Sequence, residues 1–473
     1  MINELKTYPK YKDSGLPWLG RVPNHWDLLR AKYLMREINT RSKDESGTLL
    51  SVSQYAGVTK RSSREGSEDP DTRSSSLVGY KVAKPGNLVS NIMLAWNGSL
   101  GIAPMEGVVS PAYCVYRICI GEPWFFHYLL RSPVYKAEIK RRSRGVVDSR
   151  LRLYTDDFFR IPLLLPNVKE RQAIVRFVRD LDGKVRRFIR NRRRLIEVLN
   201  EQKQGIINRA VTRGLDPDVP LKPSGIDWLW DIPKHWEVFP IKRLFSHMDY
   251  GISDSSKDEG RYRVLTMGNI RNGTVTVENC GRVDQVDPLL VLDRHDLLFN
   301  RTNSLELVGK VGIFEGNGQD EVTFASYLVR MRVNAKALPQ YVNYLLNSPG
   351  VLRVARLNAI PSLHQANLNP TRYGRLPVPL PPKAEQATIL EYIADRCGVL
   401  DDAMVRTQRE IDLIREYRTR LISDVVTGKV DVRHLAPAAG SEDSEEMVEV
   451  LEPLEEDIAD AVIDDEEPIN EAD

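Results

Sequence analysis

Apolar residues at Ile174, Val178, Leu181, Val185, Phe188, Leu195, Leu199 and Ile206 follow alternating steps of four and three, with only Arg192 and Gln202 interrupting the seam. That spacing predicts an amphipathic helix whose apolar stripe suits a partner helix. A second stretch repeats the pattern at Ile389, Ile393, Leu400, Met404, Thr407, Ile411, Ile414 and Leu421. Two helices of roughly 40 residues would each run about 60 Å at 1.5 Å per residue. Ordinary core helices are far shorter, so mutual packing of the two seams is the favoured reading.

Upstream of each helix the period changes. Gly86 to Ala95 and Val108 to Ile118 read as strands, and Ala325, Tyr327, Val329, Met331 and Val333 alternate with a period of two. Each helix follows a proline-rich segment, "IPLLLPN" or "LPVPLPP", and "TRGLDPDVPLKPSG" ends the first helix and links two halves.

The halves echo each other. Ser14, Gly15, Trp18, Leu19, Pro23, His25, Trp26 and Lys32 recur at an offset of 210 as Ser224, Gly225, Trp228, Leu229, Pro233, His235, Trp236 and Lys242. "HYLLRSP" matches "NYLLNSP" at an offset of 216, and Pro162, Leu165, Pro166, Glu170 and Ile174 match Pro377, Leu380, Pro381, Glu385 and Ile389 at 215. "AVTRGLD" pairs with "VVTGKVD". Periods this long indicate duplicated domains. Between the anchors the sequence diverges, as "SVSQYAGVTKRSSREG" beside "LTMGNIRNGTVTVENC" shows, so a duplicated frame holds two different inserts.

The net charge of +2 conceals a tail, 441–473, with 16 Asp or Glu and no Lys or Arg, so the first 440 residues carry 67 basic against 49 acidic side chains, a net +18. A basic body implies a polyanionic partner, because lysine and arginine displace counterions from phosphates. The tail's composition predicts disorder. With 473 residues, 42% apolar, there is material for two to four domains, each with its own core. Cys114, Cys119, Cys280 and Cys397 form no CxxC pair and read as four buried thiols in a reducing compartment. No apolar run approaches the roughly 18 residues of a membrane helix, and "MINELKTYPKYKD" has no signal-peptide core. A cytoplasmic protein is expected.

The chain carries none of the common catalytic motifs. There is no GxxxxGK[ST] loop, no [DN]PP[FYW] element, and no HExxH or HxH spacing, so no cofactor or metal is expected. "EGNGQDE" reads as a hairpin turn and "NPTRY" is a superficial likeness to a methyltransferase motif. His25 and His235 admit a catalytic role in both copies, but beside a proline and a tryptophan in a repeated frame a packed, hydrogen-bonded role is favoured. Asp156/Asp157 and Asp401/Asp402 would suit a metal only with a nuclease-like lysine nearby.

The divergent inserts suit nucleic acid. The first offers Gln54, Tyr55, Lys60 and Arg61, then Asn91, Trp96 and Asn97; the second offers Asn269 and Arg271, then Asn300, Arg301 and Asn303. Amides pair with adenine and guanidinium groups with guanine in a major groove. Singly, each residue is equally well read as turn chemistry or surface solvation; their recurrence in two basic modules points to DNA. Between Lys184 and Arg213, ten basic residues face two acidic ones, Glu197 and Glu201, either a solvated face or a track for a phosphate backbone.

The duplicated "SGxxWLxxxPxHW" phrase, the "PAYCVYRI" and "FASYLVRMRV" strands, the "GVVDSRLRL" and "IPSLHQANL" segments, the "LPPKAEQ" helix start and the closing "VVTGKVD" together resemble the specificity subunit of a type I restriction-modification system, over residues 10 to 433. "LPNVKERQ" departs from "LPPKAEQ", and Arg150 stands where the second copy has Gln365, a further DNA-binding candidate. The resemblance implies an α+β fold: two mixed α/β target recognition domains in pseudo-two-fold repeat (1–160 and 216–375), separated by two long conserved helices packed as an antiparallel coiled coil (161–215 and 376–433); the acidic tail at 434–473 has no counterpart in the duplicated frame. It further implies a non-catalytic subunit that reads double-stranded DNA with a bipartite target and docks two methylation subunits and the restriction subunits, with no membrane partner. The alternative is a stand-alone DNA-binding regulator; an enzyme in its own right is the remoter one.

Overall fold

The computed structural model describes residues 5–43, 47–61, 77–147, 150–254, 256–316, 321–362 and 365–436. The acidic tail and most of the "EGNGQDE" turn lie outside these residues. Two compact units form: unit 1 from residues 1–193 and 409 onward, unit 2 from 194–408. Among the described residues no helix is long and apolar enough to cross a membrane.

Both units are built on the same four antiparallel strands. In unit 1 the order is Met35–Ile38, Cys114–Ile118, Leu88–Ser90, Leu100–Ile102; in unit 2 it is Phe245–Tyr250, Leu328–Val333, Leu297–Asn300, Val311–Ile313. Unit 2 continues through the short strands Thr274–Val275 and Ile270–Arg271. The expected strand at 86–95 shrinks to Leu88–Ser90, because Ala95–Asn97 coils into a 3-10 turn closed by Gly98 in the left-handed region. The expected strand at 108–118 splits into Gly107–Val109 and Cys114–Ile118, which join different sheets, with Pro111 in the break.

Two long helices form, Val168–Arg213 and Lys383–Val426. In unit 1 their segments run antiparallel, with Asp182 paired to Arg418 at 2.7 Å and Arg192 to Glu410 at 2.9 Å. In unit 2 Lys203 meets Asp401 at 2.6 Å, so that carboxylate serves a helix–helix ion pair. The second seam is buried at Ile389, Ile393, Thr407, Ile411 and Leu421 as its spacing implies. The first departs from its heptads: after Val185 the buried residue is Ile189, not Phe188, and at the far end it is Ile207, not Ile206. A straight helix drifts against a 3.5-residue repeat, and that drift carries burial one residue onward.

The repeated phrase has a structural purpose. Trp26 is fully buried and its indole nitrogen donates to Glu170 Oε1 at 3.0 Å, while His25 Nε2 lies 2.8 Å from Glu170 Oε2. In unit 2 Trp236 and His235 hold Glu385 in the same way, at 3.0 and 2.7 Å. Each clamp grips the start of one long helix. The end of the other helix lies against it: a side chain on Gly428 would strike Pro23 and Trp26, and one on Gly214 would press Glu385 and Trp236. Both glycines cap their helices with positive φ, 81° and 74°. The position after each glutamate differs in type but not in task, since Arg171 donates to Pro166 O and Gln386 donates to Pro381 O.

The proline-rich segments are strands, Pro162–Leu165 against Asp27–Arg30 and Pro377–Leu380 against Glu237–Pro240. Two-stranded ladders leave edges where proline's missing N–H costs nothing. Of the four thiols, Cys114 and Cys397 are buried, whereas Cys119 is exposed and Cys280 half-buried. Asp156 and Asp157 open the short helix Thr155–Phe159, with Asp157 held by Arg144.

Candidate nucleic-acid interface

The helix Pro123–Leu130 and the residue after it place His127 and Arg131 one turn apart on the same face. Together they make a polar ledge on which an insert rests. Arg131 Nη1 donates to the carbonyls of Ser53, Gly98 and Leu100 at 3.1, 2.9 and 2.9 Å, and Nη2 donates to Gln54 O and Tyr55 O at 2.9 and 2.6 Å. One guanidinium therefore ties the hairpin turn at 53–56 to the loop at 95–100. His127 Nδ1 accepts from Ile102 N at 3.2 Å. Gly57, at φ 82°, sits directly over the ledge, where a Cβ would come within 2.8 Å of His127 and 3.2 Å of Arg131.

Unit 2 repeats this arrangement with other side chains. Asn343 and Asn347 occupy the equivalent helix positions. Asn343 Nδ2 donates to Gly273 O at 2.8 Å, and Asn347 exchanges two hydrogen bonds with the Val311 backbone at 2.8 and 3.1 Å. Gly273, at φ 79°, lies over the pair as Gly57 does, with a built Cβ 3.3 Å from Asn343 Nδ2. Gly57 to Gly273, His127 to Asn343 and Arg131 to Asn347 all share the offset of 216 seen in "HYLLRSP" and "NYLLNSP". The inserts are thus not unrelated: once the glycines are matched, "SQYAG" lies on "NIRNG" and Tyr55 falls at the offset of Arg271, both exposed, Tyr55 within the turn at 54–56 and Arg271 at the strand end that leads into the turn at 272–273. None of the ledge residues was among the sequence candidates, although the offset that finds them was already visible.

The candidates divide by exposure. Tyr55, Lys60, Arg61, Arg271 and Gln365 are exposed, while Gln54, Trp96, Asn97, Arg301 and Asn303 are half-buried. Lys60 and Arg61 lie at the end of the hairpin Leu50–Ser53/Gly57–Lys60. Trp96 lies under the Lys140 ammonium, 4.8 Å from the ring centre, and Asn97 Oδ1 accepts from Ser99 N.

Arg301 and Asn303 meet Gln365, more than 60 residues further along the chain, at a three-stranded sheet of Thr302–Asn303, Gln365–Asn367 and Ile360–Ser362. There Arg301 stacks on Tyr250 at 5.1 Å.

Asn91, Asn269 and Asn300 are buried, and this corrects their reading as groups facing a base. Asn91 bridges Met93 N and Tyr113 Oη, and Asn269 closes a capping box with Thr266 while donating to Glu278 O. Asn91 and Asn300 are counterparts at the ends of equivalent strands: Leu153 N donates to Ile92 O, and Leu368 N donates to Arg301 O, both at 2.8 Å. They belong to the duplicated frame.

Cations crowd the unit 1 turn. Burial, reinforced by Arg131, lowers the Lys136 ammonium below the ordinary lysine range. Burial, with Arg131, Arg418 and Arg179 adding to it, holds His127 well below the usual imidazole value, so it stays neutral and able to accept from Ile102. The unfolded chain takes up a proton below pH of about 6.5 that the folded chain refuses, so this stability is present above that pH and is lost as pH falls below it. His127→Asn, copying unit 2, is expected to flatten that loss relative to the parent chain in denaturant unfolding at pH 7.5 and 5.5. Equal losses in both would show that His127 titrates normally.

No family model matches the chain. Among curated proteins it is similar to the putative type I restriction enzyme MjaX specificity subunit of Methanocaldococcus jannaschii, 24% identical over 202 residues, covering 42% of this chain and 47% of that protein. It is similar as well to the type I restriction enzyme EcoKI specificity subunit of Escherichia coli K12, 24% identical over 322 residues and 65% of each chain. The matched regions thus span about half of the first relative and under two thirds of the second. A solved structure concerned with complex assembly and conformational transition of the type I R-M system aligns with a TM-score of 0.59 at 15% identity, covering 86% of this chain and 98% of that one, which shows a shared fold.

Proposed function

We infer that this chain belongs with the specificity subunits of type I restriction-modification systems, and that each of its two units reads one part of a bipartite target in double-stranded DNA. The observation that carries this reading is the doubled ledge beneath a hairpin: one scaffold, used twice, holds a hairpin that exposes Tyr55 in its turn in one copy and Arg271 beside its turn in the other. A duplicated frame with unlike tips is what two different half-sites call for, since base edges are distinguished by the side chains that meet them. The net +18 of the first 440 residues supplies the phosphate-directed attraction.

In this reading residues 1–160 and 216–375 are the target recognition domains, and 161–215 and 376–433 carry the paired helices. Lys60, Arg61, Tyr55 and Asn97 face DNA in the first domain, and Arg271, Arg301, Asn303 and Gln365 do so in the second. The buried Asn91, Asn269 and Asn300 shape the loops around them. The subunit is non-catalytic, uses no cofactor of its own, works in the cytoplasm, and docks two methylation subunits and the restriction subunits on its frame.

The test is genome-wide adenine methylation in the native host with the gene intact and deleted. Loss of one asymmetric, bipartite methylated motif is the expected result. An unchanged methylome, with the purified chain binding DNA but capturing no methylation subunit, would overturn this reading in favour of a stand-alone regulator.

A further inference from the structure

The ledge beneath each turn does more than fill space. In unit 1 the five carbonyls on Arg131 come from two segments some 40 residues apart, and two of them, those of Gln54 and Tyr55, belong to the turn tip itself. Gly57 leaves no gap between turn and ledge. In unit 2 the task is split: Asn343 holds the turn through Gly273 O, and Asn347 holds the neighbouring strand through Val311. The two tips therefore stand on equivalent helix positions but are tethered at different atoms, and by a charged fork in one copy and neutral amides in the other.

We propose that Arg131 is a positioning residue for base readout by unit 1, acting through the turn at 53–56 and the loop at 95–100, with Asn343 and Asn347 doing the same for Arg271 in unit 2. The proposal rests on the DNA-reading assignment above. Hydrogen bonds to base edges tolerate only a few tenths of an ångström, so the anchor of a turn governs discrimination as much as its tip does. Arg131 also couples Tyr55 to Trp96 and Asn97, so the two loops of unit 1 read as one surface. Specificity in this chain is then written twice in each unit, once in the exposed side chain of the hairpin and once in the pair below it, of which His127 and Asn343 are buried and Arg131 and Asn347 half-buried.

Arg131→Lys keeps the charge but replaces a planar fork with a single ammonium that does not span both segments. The full chain, co-expressed with its methylation subunits, would be bound to DNA pools in which one half-site at a time is randomised. Arg131→Lys is expected to flatten the base preference in one half-site on the order of 10- to 100-fold, the discrimination carried by a good bidentate contact, and to leave the other half-site unchanged. Asn343→Ala is expected to give the mirror-image result, and Tyr55→Ala to affect the same half-site as Arg131→Lys.

Thermal unfolding distinguishes positioning from collapse. Should Arg131→Lys fail to fold, Asn343→Ala and Tyr55→Ala carry the same half-site test. Folded variants with both preferences intact, or with both weakened equally, would overturn the proposal alone. A parent complex with no bipartite preference at all would overturn the DNA-reading assignment and the proposal with it.

Discussion

Trp26→Ala is expected to destabilise unit 1 by about 3–5 kcal/mol, the usual cost of deleting a fully buried indole. The side chain is 0% exposed, packs against Tyr8 and Phe125 with ring centres 5.8 and 6.3 Å away, and donates to a carboxylate that is itself buried. Its loss opens a cavity and removes one of the groups that satisfy Glu170, so two penalties combine. Trp236→Ala should do the same to unit 2, where Glu385 is more exposed, 28% against 1%, and the carboxylate part of the cost is smaller. Hydrogen exchange on the intact protein reads the two units separately. Protection should fall in the mutated unit and persist in the other; an equal fall in both would show that the clamps do not act locally.

The second large effect concerns the ion pair between the helices of unit 1. Asp182 is 4% exposed and takes two hydrogen bonds from Arg418, at 2.7 and 3.1 Å. Arg418→Met strands a buried carboxylate and is expected to cost about 3–5 kcal/mol, whereas the double variant Asp182→Leu/Arg418→Met should recover most of that loss. Lys203→Met in unit 2 is the contrast: Asp401 is 47% exposed, water solvates it once the partner is gone, and the cost should stay below about 1 kcal/mol. Denaturant midpoints for the three variants decide the matter. A double variant no better than the single would place the cost in lost packing instead of in the stranded charge.

The frame was legible because its signals are local and periodic. The buried positions Ile389, Ile393, Thr407, Ile411 and Leu421 follow from helical periodicity alone, and the hydrogen-bonded role of His25 and His235 from their repetition beside buried tryptophans, although both imidazoles are exposed instead of packed. What they grip was less accessible: Glu170 and Glu385 stood out as a matched pair, but nothing in composition says that a glutamate 145 or 150 residues downstream closes on a given histidine.

The ledge was harder still, because Arg131 holds the turn and the loop through their carbonyls, and backbone acceptors leave no trace in side-chain identity. Asn91, Asn269 and Asn300 misled for the same reason. An asparagine that bonds to local backbone and one that reads adenine are the same letter, and burial separates them. The short strands of both sheets are set by long-range pairing, which explains why the reading at 86–95 and 108–118 ran too long.

Unit 1 is assembled from both ends of the chain: Lys6 bridges to Asp431, the Tyr11 hydroxyl donates to Lys429 O, and the helix segment from 409 onward packs against the one before 194. Synthesis therefore meets the two units out of order. Residues 194–408 of unit 2 are contiguous and leave the ribosome as a finished set, whereas unit 1, begun first, waits for residues 409–431. At roughly 5–20 residues per second that wait lasts about 10 to 40 s. Throughout it Val178, Leu181, Val185 and Ile189 lack the second helix of their pair, so the unit begun before residues 194–408 matures after them.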